Sequence, residues 1–491
     1  MIVFYNPRST TPGKQPLPLS VLSLAAVIEG REPWALVDGN LTDDPAGEIV
    51  AHLGRRASRA ILAVTVMPGP QLSAAVPVCQ RVKQARPDVP IVWGGYFPSQ
   101  HADVVLAAPY VDFVIRSQGE GPFLQLLDTL SRGGPLAEVG SLSWRTPGGQ
   151  VVNNPSAPLM PVEDLPDPPY SRVPMERYLH ATYLGTRTVA YNSSFGCPFS
   201  CSFCAVVGMA RRRWLAQSPA RMAGTLARLA SEYRVDAVQM HDMDFFISED
   251  RVREFADRIA PLGLGWWALG RVDTLMHYRD ATWQAMARSG LKMVFSGAES
   301  PSAEVLAAMN KGGRSSGHLP LELAARMRTY GVVPEFSFVL GSPPDPEDDL
   351  SRTFEFVRRI KLANPATEIV LYTYTPVPTD SSLYASAERL GFRFPTTLEE
   401  WASDRWHKTM LRRGDGIPWL DPGVRTRVRN FERVLNAFYP TVTDRRLTGV
   451  RRALLRAAGA WRYALRVYSA PYELRALHRL MRYQRPETTG F

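Results

Sequence analysis

The sequence is poor in cysteine, with only four among 491 residues. That scarcity excludes a disulfide scaffold, because small disulfide-stabilised domains use cysteine far more densely. Three of the four, Cys197, Cys201 and Cys204, nevertheless lie within eight residues of one another, whereas Cys79 is more than a hundred residues away. Clustered thiols in a reducing compartment indicate metal or redox chemistry. Cys79 occupies an apolar phase of a helix-like segment and is expected to be an inert core thiol.

Long apolar runs are absent. No stretch reaches the roughly 18 uninterrupted apolar residues that a membrane-spanning helix needs. The N-terminal MIVFYNPRST lacks the basic and apolar regions of a secretory signal. We therefore expect a cytoplasmic protein. With 45% hydrophobic and 21% charged residues, the composition also excludes wholesale disorder. The length predicts roughly three or four folded units.

Lysine is scarce as well, at six of the 57 basic residues. Much of the net charge of +10 comes from residues 441–491, which hold eleven arginines against three acidic residues. A charge excess confined to one end of the chain argues against a nucleic-acid substrate. In this segment apolar residues recur at helical intervals, and Pro471 separates two predicted helices. They form either a helical cap on the preceding domain or an amphipathic surface that contacts anionic membrane.

Short apolar runs alternate with helix-length segments over residues 1–135. Alternation of this kind predicts a doubly wound parallel sheet. Residues 136–185 are rich in proline and polar residues, which predicts a linker or an extended wrap. The five candidate strands of the first region are MIVFYN, WALVD, AILAVTV, PIVWGG and VDFVI.

The alternation resumes over residues 186–395, where six βα units predict a curved parallel sheet or partial barrel. In such sheets ligands bind at the carboxyl ends of the strands. Residues 396–491 lack strand alternation and are expected to be helical. The six candidate strands of the second region are RTVAYNSS, VDAVQMHD, LGWWALG, LKMVFSG, VVPEFSFVLG and EIVLYTYTP.

The three clustered cysteines follow the first strand of this second region. Their spacing of four and three residues lets the sulfurs converge from one loop, and thiolates suit zinc or iron–sulfur clusters. A structural zinc site needs four ligands, and His180 is the only further Cys or His within thirty residues. A cubane cluster has four irons, so three thiolates leave one iron open.

The motif Cys-x3-Cys-x2-Cys, with Phe203 before its last cysteine, resembles the signature of radical S-adenosylmethionine (radical SAM) enzymes. The resemblance implies a partial (β/α)6 barrel and a [4Fe-4S] cluster on Cys197, Cys201 and Cys204. The open iron would chelate SAM, which the cluster cleaves to a 5′-deoxyadenosyl radical. Residues at later strand ends would contact SAM, although they could instead cap helices or form structural ion pairs. These candidates are Asp242 and Asp244 of HDMD, Arg271 of GRVD and Glu299 of GAES.

The first region, directly before such a barrel, resembles the cobalamin-binding domain of cobalamin-dependent radical SAM enzymes. Gly94 and Gly95 at a strand end would let backbone approach a bulky ligand. Thr65, Ser117 and Glu120 would offer polar contacts to its nucleotide tail. Taken alone, a glycine pair after a strand is also typical of a tight turn.

One departure concerns cobalt. The Asp-x-His-x-x-Gly motif of mutase-type cobalamin domains is absent after the first strand, so the lower axial ligand stays unassigned. His101 lies near the glycine pair and is expected at a helix start or on the surface. A single N-terminal thiol, Cys79, cannot hold the second cluster of methylthiotransferases, so that class is excluded.

The resemblance implies a C-methyltransferase that moves a methyl group from methylcobalamin to an unactivated carbon of a small, natural-product or lipid-like substrate. The alternative is an oxidative or ring-forming enzyme that uses the same cofactors. A third possibility is a noncatalytic cobalamin-responsive protein with a structural metal site. The enzyme would also need an electron donor such as flavodoxin or ferredoxin.

Overall fold

The computed structural model describes residues 1–491 except 55–59, 312–316, 344–345, 378–381, 411–413, 415, 445–446 and 482–491. The N-terminal region is a seven-stranded sheet in the order β2-β1-β3-β4-β5-β6-β7. Its elements are β1 (Ile2–Asn6), α1 (Leu19–Ile28), β2 (Trp34–Asp38), α2 (Pro45–Leu53), β3 (Ile61–Thr65), α3 (Pro70–Ala85), β4 (Ile91–Gly94), α4 (Tyr96–Gln100), α5 (Ala102–Ala107), β5 (Phe113–Ile115), α6 (Glu120–Arg132), β6 (Leu142–Arg145) and β7 (Val151–Asn153).

Strands β1 to β5 are parallel and correspond to the five predicted strands, which confirms the doubly wound class. The interior strand β1 is buried on both faces because its side chains alternate between two cores. Val3 and Tyr5 pack on one side of the sheet, and Ile2 and Phe4 pack on the other. Because both faces of the strand are buried, its sequence is an uninterrupted run of apolar residues from Ile2 to Tyr5.

The antiparallel strands β6 and β7 extend this sheet into residues 136–185, for which the sequence predicts a linker. Both strands are short, and the polar turn between them obscures their pattern. The rest of the segment wraps along both α/β regions. Tyr178 donates a 2.9 Å hydrogen bond to Asp38 of the first sheet, and Arg221 of the barrel donates one of 2.9 Å to Asp167.

The second region is a six-stranded, fully parallel sheet in the order β15-β14-β13-β12-β11-β8. The predicted partial barrel is confirmed. Its elements are β8 (Thr188–Tyr191), β9 (Ser194–Gly196), α7 (Val206–Ala210), β10 (Trp214–Ala216), α8 (Pro219–Tyr233), β11 (Ala237–Met240), α9 (Glu249–Ile259), β12 (Gly265–Leu269), α10 (Val272–His277), α11 (Asp280–Arg288), β13 (Leu291–Glu299), α12 (Ala303–Ala308), α13 (Leu319–Thr329), β14 (Val333–Leu340), α14 (Pro346–Ala363), β15 (Glu368–Thr373) and α15 (Ser382–Arg389).

The described part of residues 396–491 is helical, as predicted. Phe431 stacks on Phe354 of α14 at 3.8 Å between ring centroids and so joins this region to the barrel. No helix of the described chain has the length and apolar content needed to cross a membrane. The helices are α16 (Leu398–Trp401), α17 (Asp404–Met410), α18 (Pro422–Phe438), α19 (Gly449–Leu465) and α20 (Tyr472–Met481).

An aromatic cluster joins the C-terminal helices to the first sheet. The ring centroid of His101, between α4 and α5, lies 4.9 Å from that of Phe97, 4.6 Å from Trp401 and 5.3 Å from Phe394. The expected helix start is found, but the ring is packed in a cluster and is not a free surface group. Burial lowers the pKa of His101 to about 4.

This burial makes stability depend on pH. An unfolded histidine has a pKa of about 6.5, so between pH 6.5 and 4 the unfolded chain binds this proton more readily than the folded chain. The contribution to stability is present above pH 6.5 and lost as the pH falls toward 4. We expect His101→Phe, which keeps an aromatic ring, to weaken the pH dependence by up to roughly 1.4 kcal/mol per pH unit. Urea unfolding from pH 4 to 7 measures it, and parallel profiles for the two proteins would contradict it.

Candidate cofactor sites

The cysteine loop begins at a forced turn. Strand β9 pairs with β10 in a two-stranded antiparallel ribbon, and Gly196 ends it with a φ of +86°. A Cβ at Gly196 would lie 2.2 Å from the backbone oxygen of Arg213, so no other residue fits there without moving the ribbon. The chain then runs through the three cysteines into α7.

Hydrogen bonds fix this loop against the end of α12. The Ser202 backbone N–H donates to the Met309 carbonyl at 2.9 Å, and the Asn310 side chain donates to the Ser200 carbonyl at 2.9 Å. Within the loop, the Cys204 N–H donates to the Cys201 carbonyl at 3.1 Å. The backbone that carries the thiols is therefore held at its start by the β9–β10 ribbon and along its length by the end of α12.

Each thiol is at least partly shielded from water, and Cys201 is buried. Burial raises the pKa of the Cys197 thiol to about 11 and also raises that of Cys204. Metal binding reverses such shifts, because the metal bonds only the thiolate. Within the described residues, no three His, Cys, Asp or Glu side chains are placed to hold one metal ion together. A [4Fe-4S] cluster held by three cysteines takes one thiolate on each of three irons. The three cysteine sulfurs therefore need not converge on one point.

Arg271 brings positive charge to this loop. Its Nη1 donates to Cys201 Sγ at 3.4 Å, and its guanidinium lies 3.9 Å from the Phe199 ring centroid. Asp273 holds the same guanidinium through two hydrogen bonds of 2.9 and 2.8 Å, and the Lys311 carbonyl accepts a third. The structure thus places Arg271 beside a sulfur and within an ion pair.

Glu299 lies at the end of β13, where the pairing register with β14 shifts after Gly297. Its own φ is +61°, and a Cβ at Gly297 would come within 2.0 Å of its carboxylate. The carboxylate accepts a 2.6 Å hydrogen bond from Lys311, and both side chains are buried. Sequence reasoning missed Lys311 and Asp273. Asp273 had a signal, since it follows Arg271 by two residues, but Lys311 lies in no recognisable pattern.

The two aspartates of HDMD have different surroundings. Asp242 is fully buried and accepts hydrogen bonds from Ser193 N–H and Oγ at 3.2 and 2.7 Å, and from Ser194 Oγ. It therefore anchors the start of β9 behind the cysteine loop. Asp244 is also buried, and its Oδ2 has no hydrogen-bond partner among the described residues. Burial raises the pKa of Asp244 to about 7, against the opposing effect of Arg271.

The predicted cobalamin contacts lie at the carboxyl edge of the first sheet. Thr65 ends β3, and its hydroxyl is 3.1 Å from that of Ser20 on α1. Gly94 ends β4. Gly95 follows it with a φ of +98°, where a Cβ would lie 3.1 Å from Thr65 Oγ1 and 3.2 Å from Val66 backbone atoms. The chain here passes too close to the end of β3 for a side chain at this position.

Ser117 and Glu120 lie at the same edge, after β5. Ser117 has a φ of +69°, and its N–H donates to Ser99 Oγ at 2.9 Å. Glu120 begins α6 and accepts a hydrogen bond from Ser23 of α1. The structure therefore brings Thr65, the glycine pair, Ser117 and Glu120 together at one sheet edge.

This edge faces the cysteine loop of the barrel. Ser117 Oγ donates to the Met209 carbonyl of α7 at 2.5 Å, and Gln100 Nε2 donates to the Ala205 carbonyl at 3.0 Å. Tyr96, directly after the glycine pair, is close enough to Cys204 for the two groups to interact electrostatically. The carboxyl ends of both sheets therefore meet around the three thiols.

Two other candidate ligands lie elsewhere. His180 Nε2 is 3.0 Å from the Gln15 carbonyl, and its backbone bridges to Thr188. Cys79 is buried in the core of the first domain, and burial raises its pKa to about 12, as an inert thiol requires.

Comparison with known proteins begins with the first sheet, where residues 9–127 match the B12 binding domain family. The chain is 27% identical over 349 residues to the uncharacterized methyltransferase PH0819 of Pyrococcus horikoshii, which covers 70% of this chain and 74% of that protein. It is also 27% identical to the anaerobic magnesium-protoporphyrin IX monomethyl ester cyclase of Rubrivivax gelatinosus, covering 59% of this chain and 52% of the cyclase.

Among solved structures, the chain resembles the radical S-adenosylmethionine methyltransferase TsrM of Kitasatospora setae, determined with cobalamin and a [4Fe-4S] cluster bound. The TM-score is 0.67 at 15% identity, and the match covers 98% of both chains. The likeness therefore extends across the N-terminal sheet, the partial barrel and the C-terminal helices.

The donor set fits these cofactors, with three thiols on one anchored loop and a glycine-lined sheet edge facing them. Residues 9–127 therefore match the B12 binding domain family, and the chain as a whole shares its fold with a cobalamin- and [4Fe-4S]-binding radical SAM methyltransferase.

Proposed function

We propose that this enzyme transfers a methyl group to an unactivated carbon of a small, natural-product or lipid-like molecule. The observation that carries the proposal is the meeting of the two sheet edges at Ser117–Met209 and Gln100–Ala205. A methyl carrier on the first sheet and a radical generator on the barrel would share one space there. Five of the eight matching relatives bear methyltransferase or methylase names, which also supports methyl transfer.

When bound, the cluster would supply the electron that splits SAM, and cobalamin would carry the methyl group. The chain's own part is to bind and orient these groups and to exclude water. Cys197, Cys201 and Cys204 would hold the cluster. Arg271, fixed by Asp273, would place a positive charge beside the sulfur of Cys201, and a hydrogen bond from a charged donor is stronger than one from a neutral donor.

Around SAM, we assign Glu299 and Asp244 to contacts with the ammonium or ribose groups. Lys311 holds the Glu299 carboxylate in place, and the unpartnered oxygen of Asp244 is an acceptor without a donor in the described chain. Asp242 is assigned a positioning role, because Ser193 and Ser194 occupy its oxygens. Its direct contact with SAM stays a prediction, and the hydrogen bonds that it accepts support the start of the cysteine loop.

Cobalamin would lie against Gly94 and Gly95, with Thr65, Ser117 and Glu120 beside its nucleotide tail. A half-buried, glycine-lined edge lets backbone amides reach such a ligand without interference from side chains.

The runner-up function is oxidation or ring formation with the same cofactors, because three of the eight relatives are named cyclases. The partners we propose are a small-molecule substrate and a reducing protein such as flavodoxin or ferredoxin.

Anaerobic turnover with SAM, cobalamin and reductant tests the function. We expect 5′-deoxyadenosine and S-adenosylhomocysteine to form together, since methyl transfer consumes one SAM for each role, with a product heavier by one CH2. Mass spectrometry measures the product. A product that has lost hydrogen or gained oxygen, without S-adenosylhomocysteine, would select the cyclase alternative and overturn methyl transfer.

Cluster ligation is tested by iron content. We expect Cys201→Ala to lower bound iron at least several-fold after anaerobic reconstitution and to abolish 5′-deoxyadenosine formation, because it removes one of three thiolates. Cys79→Ala is the matched control, since its thiol is also buried but lies in the core of the first domain. It should lose about 1 kcal/mol of stability and no iron. Equal iron content in the two variants would contradict the assignment.

Cobalamin binding is tested at the glycine pair. Gly95→Ala places a methyl group 3.1 Å from Thr65 Oγ1, so we expect bound cobalamin, measured by absorbance after gel filtration, to fall at least tenfold. Gly54→Ala is the control, because Gly54 has a similarly unusual backbone with φ 63° and ψ 169°, but no atom of the described residues lies within 4 Å of the added carbon. Cobalamin content that falls equally in both would show that backbone strain, and not the binding edge, causes the loss.

A further inference from the structure

Helix α19 exposes its apolar half and packs the middle of its opposite half against the protein. At 100° per residue, one half of the helix consists entirely of glycine, alanine, valine, leucine and tryptophan. Seven of these residues are exposed, in the order Val450, Ala453, Leu454, Ala457, Trp461, Ala464 and Leu465. We call these seven residues the α19 apolar face. Surface helices normally show the opposite arrangement, with the apolar stripe toward the core.

The opposite half of α19 packs on the protein. Leu455 and Tyr463 are buried there, and Tyr463 stacks on Phe438 of α18 at 4.5 Å between ring centroids. Arg462 on this half is buried and pairs with Glu473 of α20. The position of the helix is therefore set by contacts that leave the apolar face outside.

Exposed apolar side chains are concentrated in this part of the chain. Among the described residues, nine large hydrophobic side chains are classed as exposed, and six of them lie between residues 450 and 480. They include Trp461 and, on α20, Tyr472. Tryptophan and tyrosine are the residues enriched where a membrane surface meets water.

Positive charge borders the α19 apolar face on both sides. Arg451 lies at one edge and Arg456 at the other, and both are exposed. The helix contains no acidic residue. In a symmetric contact between two copies of this chain, these arginines would face one another, which is unfavourable, whereas an anionic surface complements them.

We propose that the α19 apolar face docks on the surface of an anionic lipid bilayer, with the helix lying in the plane of the membrane. A helix with one apolar and one arginine-bearing half binds in this way through buried apolar area together with attraction to lipid phosphates. No spanning helix is needed. The proposal is independent of the reaction catalysed, and the opposite half of α19 keeps its contacts with α18 and α20.

Vesicle flotation of the full chain tests the docking. Wild type should float with vesicles of phosphatidylcholine and phosphatidylglycerol, and at least tenfold less with phosphatidylcholine alone. Leu454→Gln with Leu465→Gln should reduce flotation on anionic vesicles at least tenfold. The control is Leu362→Gln with Leu390→Gln on other elements. The first pair is 55% and 69% exposed and the second 70% and 45%, so similar apolar surface is lost, and this pair should float like wild type.

A second pair of variants, at the bordering arginines, distinguishes electrostatic attraction to anionic lipid from nonspecific hydrophobic adsorption. Arg451→Gln with Arg456→Gln should lower binding to anionic vesicles roughly 25-fold, at about fivefold per arginine, and leave binding to phosphatidylcholine unchanged. Wild type that stays with the lipid-free fraction would overturn the proposal. The proposal would also be overturned if wild type did not bind vesicles but formed a concentration-dependent dimer in light scattering, and if Leu454→Gln with Leu465→Gln abolished that dimer. Thermal unfolding of each variant checks that the fold is intact.

Discussion

The structure depends on one contact, in which the carboxyl edges of two parallel sheets face each other across the cysteine loop. Parallel sheets collect their functional side chains at the carboxyl ends of the strands, because the connecting loops there are free to vary. Here two such edges are joined through Ser117 and Met209, and through Gln100 and Ala205. Backbone carbonyls of Ala205 and of α7, directly after the cysteine loop, accept both bonds, so the contact holds the C-terminal end of that loop. A shift of either sheet would move the cysteines relative to the glycine pair.

The buried ion pairs at this junction fix the positions of side chains but contribute little to the free energy of folding. Lys311 and Glu299 form a buried ion pair, and Arg271 and Asp273 form a second. Removing charges from water costs about as much as their attraction returns, so such pairs add little net stability. They are linked, however, because the Lys311 backbone oxygen also accepts a hydrogen bond from Arg271. The linkage keeps a cation beside Cys201 and a carboxylate at the end of β13, and both are useful to a charged, multidentate cofactor.

Sequence reasoning succeeded where one local signal sufficed. Eleven parallel strands were predicted because each is an apolar run buried on at least one face, and the cysteine loop was found because its spacing is rare by chance. It failed where the position of a side chain depends on distant parts of the chain. Lys311 meets Glu299 only because α12 folds back over the loop, and Asp242 meets Ser193 through neighbouring parallel strands. Strands β6 and β7 were missed because LSWR and VVN include polar residues and adjoin a polar turn and a proline-rich segment, so neither is a plain apolar run. His101 is packed by Phe394 and Trp401, almost three hundred residues later.

The C-terminal helices show the same limit most clearly. A helical period reveals that α19 has two unlike halves, but not which half is buried. Periodicity alone would place the leucines inward. The structure instead buries Tyr463 and Arg462, because the Phe438 ring and the Glu473 carboxylate provide partners of matching shape and charge. Once those contacts form, helix geometry alone directs Leu454, Trp461 and Leu465 to the outside. Exposed apolar area of this extent is costly in water, so its partner must be sought outside the chain described here.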